Sequence, residues 1–281
     1  MKLCWATDIH LNFLNENATF LLGELWAESY DSLVISGDIA EATNVRSLLC
    51  ALADGFGKPV YFVLGNHDYY QGSIADVRAI MQRLHDSHPN LFWLDVSEPV
   101  FLDDQAALVG HQGWYDGILG DPQGSRVLMS DFEFIKDFRS YYNPRTWLYY
   151  GGAKDRLLGK LKELSQQAAE EARVNLRKAL EARHTVLFAT HYPPFAGACW
   201  HEGKLSNRHW MPWFTSACMG EMLADEACNF PDNEIIVLCG HTHSSGHYQH
   251  LDNLTVLTGA AEYGDPQPVM YFETPIKLKV T

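Results

Sequence analysis

Leu33-Val34-Ile35-Ser36-Gly37-Asp38-Ile39-Ala40-Glu41 is an apolar run that stops at a glycine and a carboxylate. Val60-Tyr61-Phe62-Val63-Leu64-Gly65-Asn66-His67-Asp68 repeats the pattern, and the helical stretch Val45 to Leu52 lies between them. Apolar runs this short, bounded by glycine, read as strands buried on both faces. Working outward, Leu3-Cys4-Trp5-Ala6 reads as a strand that leads into Asp8-Ile9-His10. Phe20 to Tyr30 and Ile74 to His85 read as helices. Strand–helix alternation predicts an α/β fold with a mostly parallel sheet covered by helices.

The second half uses the same grammar. Ala106 to Val109, Thr185 to Thr190, Ile235 to Cys239, Leu254 to Thr258 and Val269 to Phe272 are strand runs. Leu157 to Arg183 is the longest helical pattern, with Leu157, Leu161, Leu164, Ala168, Ala172, Leu176 and Ala179 on one face. The opposite face is charged and is expected to be wet. No repeat, linker or low-complexity tract interrupts the chain. The expectation is a single domain over residues 1–281, with loop insertions near 111–150 and 195–232.

The chain has 281 residues, 47% of them hydrophobic, with 21 Lys plus Arg against 35 Asp plus Glu and a formal charge of −14. Such a chain has no general attraction for nucleic acid or anionic lipid, so an anionic ligand needs a local positive centre. No apolar run approaches the ~18 residues of a membrane span. A first strand beginning near Met1, with no leader pattern, reads as a cytoplasmic protein. The six cysteines form no C-x-x-C pair, which argues against a zinc knot and for reduced, packed thiols. No residue pattern sets an oligomeric state.

The residues just past the strands carry the chemistry. The strand ends present Asp8 and His10, Asp38, Asn66, His191, and His241 with His243. Ligands of open α/β sheets bind at the carboxyl ends of strands, so one edge should collect these side chains. Carboxylate, amide and imidazole donors together suit divalent first-row metals: Mn, Fe, Zn or Co, with Mn and Fe favoured here. Seven donors are too many for one ion but suit two if a carboxylate bridges, and Asp38 falls between the other groups in chain order. Two such ions can share a hydroxide and polarise a phosphoryl group, supplying the positive centre that an acidic chain lacks.

In combination these blocks resemble the signature of the calcineurin-like metallophosphoesterase superfamily, over Asp8 to His243. The resemblance implies a two-sheet β-sandwich flanked by helices and hydrolysis of phosphoesters by a metal-bridging hydroxide at a two-metal centre. It places Asp8, His10, Asp38 and His243 around one metal, and Asp38, Asn66, His191 and His241 around the other. His67 corresponds to the catalytic histidine of the family, able to donate to a phosphoryl oxygen or a leaving alkoxide. Asp68 is expected either to orient the His67 ring or to cap the following helix.

Departures from the family pattern narrow the substrate. Ile39-Ala40 stands where the protein phosphatases carry Arg-Gly, and Tyr69-Tyr70 follows Asp68 where cyclic-nucleotide phosphodiesterases commonly place an Arg. The expectation is a small-molecule phosphodiester or nucleotide-like substrate. The alternatives are a phosphomonoesterase or a catalytically silent metal-binding scaffold. His111, Trp114 and Tyr115 come directly after a strand and are expected to touch substrate. His201, His209, Arg126, Arg139, Arg145 and Arg208 are further candidates. Trp147, Tyr149, Tyr150, Trp200, Trp210 and Trp213 read either as a pocket wall or as a small satellite core under the loops.

Overall fold

The computed structural model describes residues 1–141 and 151–276. Trp147, Tyr149, Tyr150 and Arg145 lie outside the described residues. The strands are β1 Lys2–Ala6, β2 Ser32–Ser36, β3 Val60–Val63, β4 Leu91–Trp93, β5 Val100–Phe101, β6 Ala106–Gly110, β7 Thr185–Ala189, β8 Trp200–His201, β9 Lys204–Leu205, β10 Glu234–Cys239, β11 Gly246–Leu251, β12 Leu254–Thr258 and β13 Met270–Glu273. One sheet runs β13-β1-β2-β3-β4 and the other β11-β12-β10-β7-β6-β5, while β8 and β9 form a small hairpin. Within each large sheet the central strands are parallel, and β13, β11 and β5 add antiparallel edges.

The two sheets pack face to face because the buried strands alternate with a period of two. Leu3, Trp5, Val34, Val63, Leu108, Leu187, Ile236 and Leu238 fill the space between the sheets. Their neighbours Cys4, Leu33, Ile35 and Phe62 point outward to the helices covering the first sheet. Val186, Phe188, Ile235 and Val237 do the same on the second. The outer layers include α1 Glu16–Ala27, α2 Val45–Phe56 and α3 Ile74–Ser87. Asn15 and Ser73 cap α1 and α3, each accepting from a backbone amide three residues on. The expected two-sheet α/β sandwich flanked by helices is the observed fold.

Further along come α4 Asp131–Phe134, the long α5 Gly151–Ala182, α6 Met211–Phe214 and α7 Ala217–Asn229. The apolar face of α5 is buried where its spacing placed it. Its polar side holds α7 through Arg173 and Arg177, which both pair with the buried Glu226 carboxylate. The segment 195–232 therefore differs from the expected loop insertion: Met219, Met222, Leu223 and Ala227 of α7 belong to the core under the second sheet. β4 is only three residues long. β11 (Gly246-His247-Tyr248-Gln249-His250-Leu251) is polar and half-exposed, which is why neither stood out as an apolar run.

Candidate metal centre

Five strands end at the same edge. Past β1 the chain bends so that His10 N donates to Asp38 O at 3.0 Å and Asp8 N to Gly37 O at 3.0 Å. The two sheets are stitched together there by the site residues. His241 N donates to Asp8 Oδ1 at 3.0 Å, and His191 Nδ1 faces Ser36 O at 2.9 Å. A Cβ on Gly240 would overlap Asp8 Oδ2 and Thr7 Oγ1, and one on Gly65 would overlap Asp38 Oδ1. Glycine before the ligand is thus a space requirement at both turns.

Among the described residues seven non-glycine positions have positive φ: Asp8, His10, Asp38, Gln71, Glu202, His241 and His243. Five of these seven are expected metal ligands. Left-handed backbone costs an L-residue about 1–2 kcal/mol, and such strain gathers at functional sites, where surrounding structure over-determines it. Here it tilts each side chain off its strand line and into one shared space.

Asp8, His10, Asp38 and His243 each offer a donor atom within 4.8 Å of the others, and Asp38, His191 and His241 do likewise. Asp38 joins the two groups. Its Oδ2 lies 4.0 Å from His10 Nε2, and its Oδ1 lies 3.3 Å from His191 Nε2. Asn66 Oδ1 is 3.1 Å from His191 Nε2, which adds it to the second group. All seven expected ligands are therefore brought together. The residues fit divalent cations by their chemistry: mixed oxygen and nitrogen donors, buried, with His10 Nε2 and His243 Nε2 facing each other at 3.2 Å. His10 Nδ1 is buried with no hydrogen-bond partner.

Burial would raise the Asp8 and Asp38 carboxyls, yet the surrounding histidines hold both below the usual range. Burial also drives the His10 imidazole down to about 4 and His241 down to about 3, leaving neutral rings. Burial pulls on His191 as well, but the Asp38 carboxylate outweighs it and lifts the ring to about 9.

His67 belongs to neither donor group. Its ring stacks on Tyr70 at 4.2 Å between centroids, and its Nε2 lies 3.9 Å from Asp38 Oδ2. Asp68 is fully buried. Its carboxylate accepts from Ile39 N at 3.0 Å, Ala40 N at 2.8 Å and Gly65 N at 2.8 Å. These contacts clamp the loops that carry Asp38 and Asn66. They differ from both expected roles, since Tyr70 is what supports the His67 ring and Ser73 is what caps α3. Burial and the Asp38 carboxylate push Asp68 up to about 8.

A cavity of about 350 Å³ opens over Asp38, Asn66, His67, His241 and His243. Tyr70, Leu128, Met129, Ser130, His201, Trp210, Phe214, Thr242 and Tyr263 complete its wall. His111, Trp114 and Tyr115 do not line it. His111 is buried with Nε2 3.1 Å from Glu171 and 3.6 Å from Asp95. Trp114 packs between Tyr69, Phe138 and Tyr192, and Tyr115 lies behind His241 with its hydroxyl on Asp131 at 2.9 Å. Emerging from a strand end thus took these three into the core, as apolar surface must be buried somewhere. Of the further candidates, His201 and Trp210 reach the cavity, whereas Trp213 is core, Arg208 pairs with Asp121 and Arg139 holds Glu133 O.

Sequence reasoning missed Asp131 and Tyr263. Asp131 Oδ1 accepts from Asn66 Nδ2 at 2.9 Å and from the Tyr70 hydroxyl at 2.7 Å. The Tyr263 ring lies 4.5 Å from that of His10 and 4.9 Å from that of His243. Neither sits in a motif or at a strand end, so no local signal marks them.

Known structures share this architecture. The phosphopantetheinyl hydrolase of Mycobacterium tuberculosis superposes with a TM-score of 0.66 at 15% identity, over 94% of this chain and 90% of that one. A dimetal phosphatase of Danio rerio gives 0.54 at 14% identity, over 92% and 87%. A search of curated protein sequences finds no match. The sequence pattern of the calcineurin-like phosphoesterases matches residues 1–245, and that span carries every donor of the two groups. The chain belongs to the calcineurin-like phosphoesterase family, a class of phosphoester hydrolases, and carries two groups of residues that could hold a metal ion.

Proposed function

We propose that this phosphoester hydrolase works with two divalent ions, Mn or Fe before Zn or Co, on a small phosphodiester or nucleotide-like substrate. Asp8, His10, Asp38 and His243 would hold one ion, and Asp38, Asn66, His191 and His241 the other. The observation that carries this reading is Asp38, one carboxylate oxygen turned to each donor group. Bound there, a pair of ions supplies Lewis-acid charge for the phosphoryl oxygens and activates water.

The chain's own residues do the rest. The Ser36 carbonyl fixes the His191 ring so that Nε2 faces Asp38 and Asn66. Tyr70 holds the His67 ring flat at the cavity wall, where it delivers a proton to the departing alkoxide oxygen. Asp68 acts as a positioning residue, locking both loops through their backbone amides. Six free cysteines agree with a reducing, cytoplasmic setting, and among the described residues no helix is long and apolar enough to cross a membrane.

Protein of measured Mn content tested on bis-p-nitrophenyl phosphate and p-nitrophenyl phosphate decides the reading. We expect about two ions per chain and faster turnover of the diester. Because one structural neighbour is a phosphopantetheinyl hydrolase, a phosphopantetheinyl ester belongs in the same panel. Full metal loading with neither ester cleaved would favour the silent scaffold.

A further inference from the structure

Two cavities meet at His243. One, of about 460 Å³, is walled by Asp8, Glu262 and Asp265 together with Ser245 and Gln267. No Lys or Arg is among the described residues of that wall, and its exposed Glu262 and Asp265 carboxylates disfavour an anionic arm of a substrate. The other is the 350 Å³ cavity over His67, and no Lys or Arg is among the described residues that line it. Apart from the metal centre, the described residues of this cavity offer no Lys or Arg to meet a second phosphate or a carboxylate.

The second cavity is instead aromatic. Trp210 and Phe214 stack at 5.2 Å with their planes 25° apart, and the His201 ring contacts both. Tyr263, packed against His10 and His243, closes the wall beside the metal centre. Leu128 and Tyr263 of the same wall are 46% and 54% exposed and add apolar surface that a ligand can cover. Thr242 is part of the wall, but its Oγ1 is enclosed by protein and gives the cavity no polar contact.

We infer that this cavity takes a flat aromatic or apolar arm carried on the reacting phosphoryl group, and that this group is the only anion in the substrate. The inference rests on the phosphohydrolase reading for the place of the phosphoryl group. It adds the class of the organic arm and excludes polyphosphates and phosphorylated acids. Ring stacking on Trp210 supplies the discrimination.

The test measures binding and turnover separately. Mn-loaded protein is titrated calorimetrically with methylphosphonate, benzylphosphonate and 3-phosphonopropionate, which share a head group and differ in the arm. Benzylphosphonate should bind roughly ten- to hundredfold tighter than methylphosphonate, as one stacked ring provides, and 3-phosphonopropionate should bind weakest. Trp210→Leu should collapse the benzyl-to-methyl ratio toward 1, and Trp210→Tyr should restore most of it. Equal affinities in the parent protein, or tightest binding of 3-phosphonopropionate, overturn the inference without need of any variant. Ring preference without hydrolysis of either p-nitrophenyl ester sinks the phosphohydrolase reading and leaves the arm pocket standing. Hydrolysis without ring preference does the reverse.

Discussion

Asn66 donates its Nδ2 hydrogen to Asp131 Oδ1 at 2.9 Å, and this contact decides which end of the amide faces His191. With the nitrogen committed to a carboxylate, Oδ1 is the atom left 3.1 Å from His191 Nε2. An amide aimed the other way would present hydrogens to a cation. Asp131 is 65 residues from Asn66 in the chain, yet it also holds the hydroxyl of Tyr70, the ring on which His67 stacks.

Asp131→Asn should therefore weaken one of the two metal sites. An asparagine there can donate as well as accept, so the Asn66 amide loses its forced orientation. Outer partners of metal ligands typically contribute 10–100-fold to metal affinity or activity. Stepwise Mn titration should show one tight and one weakened ion, and two sites of unchanged affinity would remove Asp131 from this role.

His67→Ala should separate chemistry from assembly. The ring is outside both donor groups, so metal content should stay near wild type while kcat falls ~10²–10⁴-fold, the usual scale for losing a positioned proton donor. The loss should be smaller for p-nitrophenolate esters than for alkyl esters, because a good leaving group needs little protonation. Equal losses across leaving groups would argue against proton donation.

Gly240→Ala should dismantle the first donor group. Its Cβ would overlap Asp8 Oδ2 and Thr7 Oγ1, both part of the turn that receives His241 N. Metal content and thermal stability should fall together. Gly159→Ala in α5 is the control: nothing lies within 4 Å of its Cβ, and relief of a helical glycine should add about 0.5–1 kcal/mol. Retained metal in Gly240→Ala would show that the turn can relax.

Acid should expose the tie between His111 and Glu171. The hydrogen bond from His111 is the main cause lowering the Glu171 carboxyl from 4.5 to about 2, with burial opposing it. A depressed carboxyl stabilises the fold above its unfolded pKa and loses that contribution as pH falls through the folded one. The stability gap between wild type and Glu171→Gln should thus be full near pH 6 and close between about pH 4.5 and 2. Glu171 is 40% exposed, so solvent screens the effect. A gap independent of pH in melting curves would contradict it.

Thiol reactivity should follow burial. Desolvation pushes the Cys4, Cys199 and Cys239 thiols up to about 12, and Cys218 to about 11, while Cys228 is exposed. Native protein should show one fast thiol with an aromatic disulfide reagent and all six after denaturation. Half-buried Cys50 can account for a second, slower thiol, and three or more fast thiols would mean that a buried segment opens readily.

The sequence by itself determined the central apolar strands and the candidate donors that follow them. Runs such as Leu33 to Ser36 can satisfy their side chains only as buried strands, and a glycine followed by Asp38 or Asn66 marks where each strand surfaces. Those signals are local, so they survive without coordinates. The tertiary structure alone decided how the donors converge. It bent five of them into left-handed backbone, turned the two oxygens of Asp38 to opposite groups, and sent His111, Trp114 and Tyr115 inward. It also recruited Asp131, Trp210 and Tyr263 from segments with no periodicity. Contacts between residues dozens of positions apart are set by how the layers pack, and packing leaves no mark in the local spacing of residues.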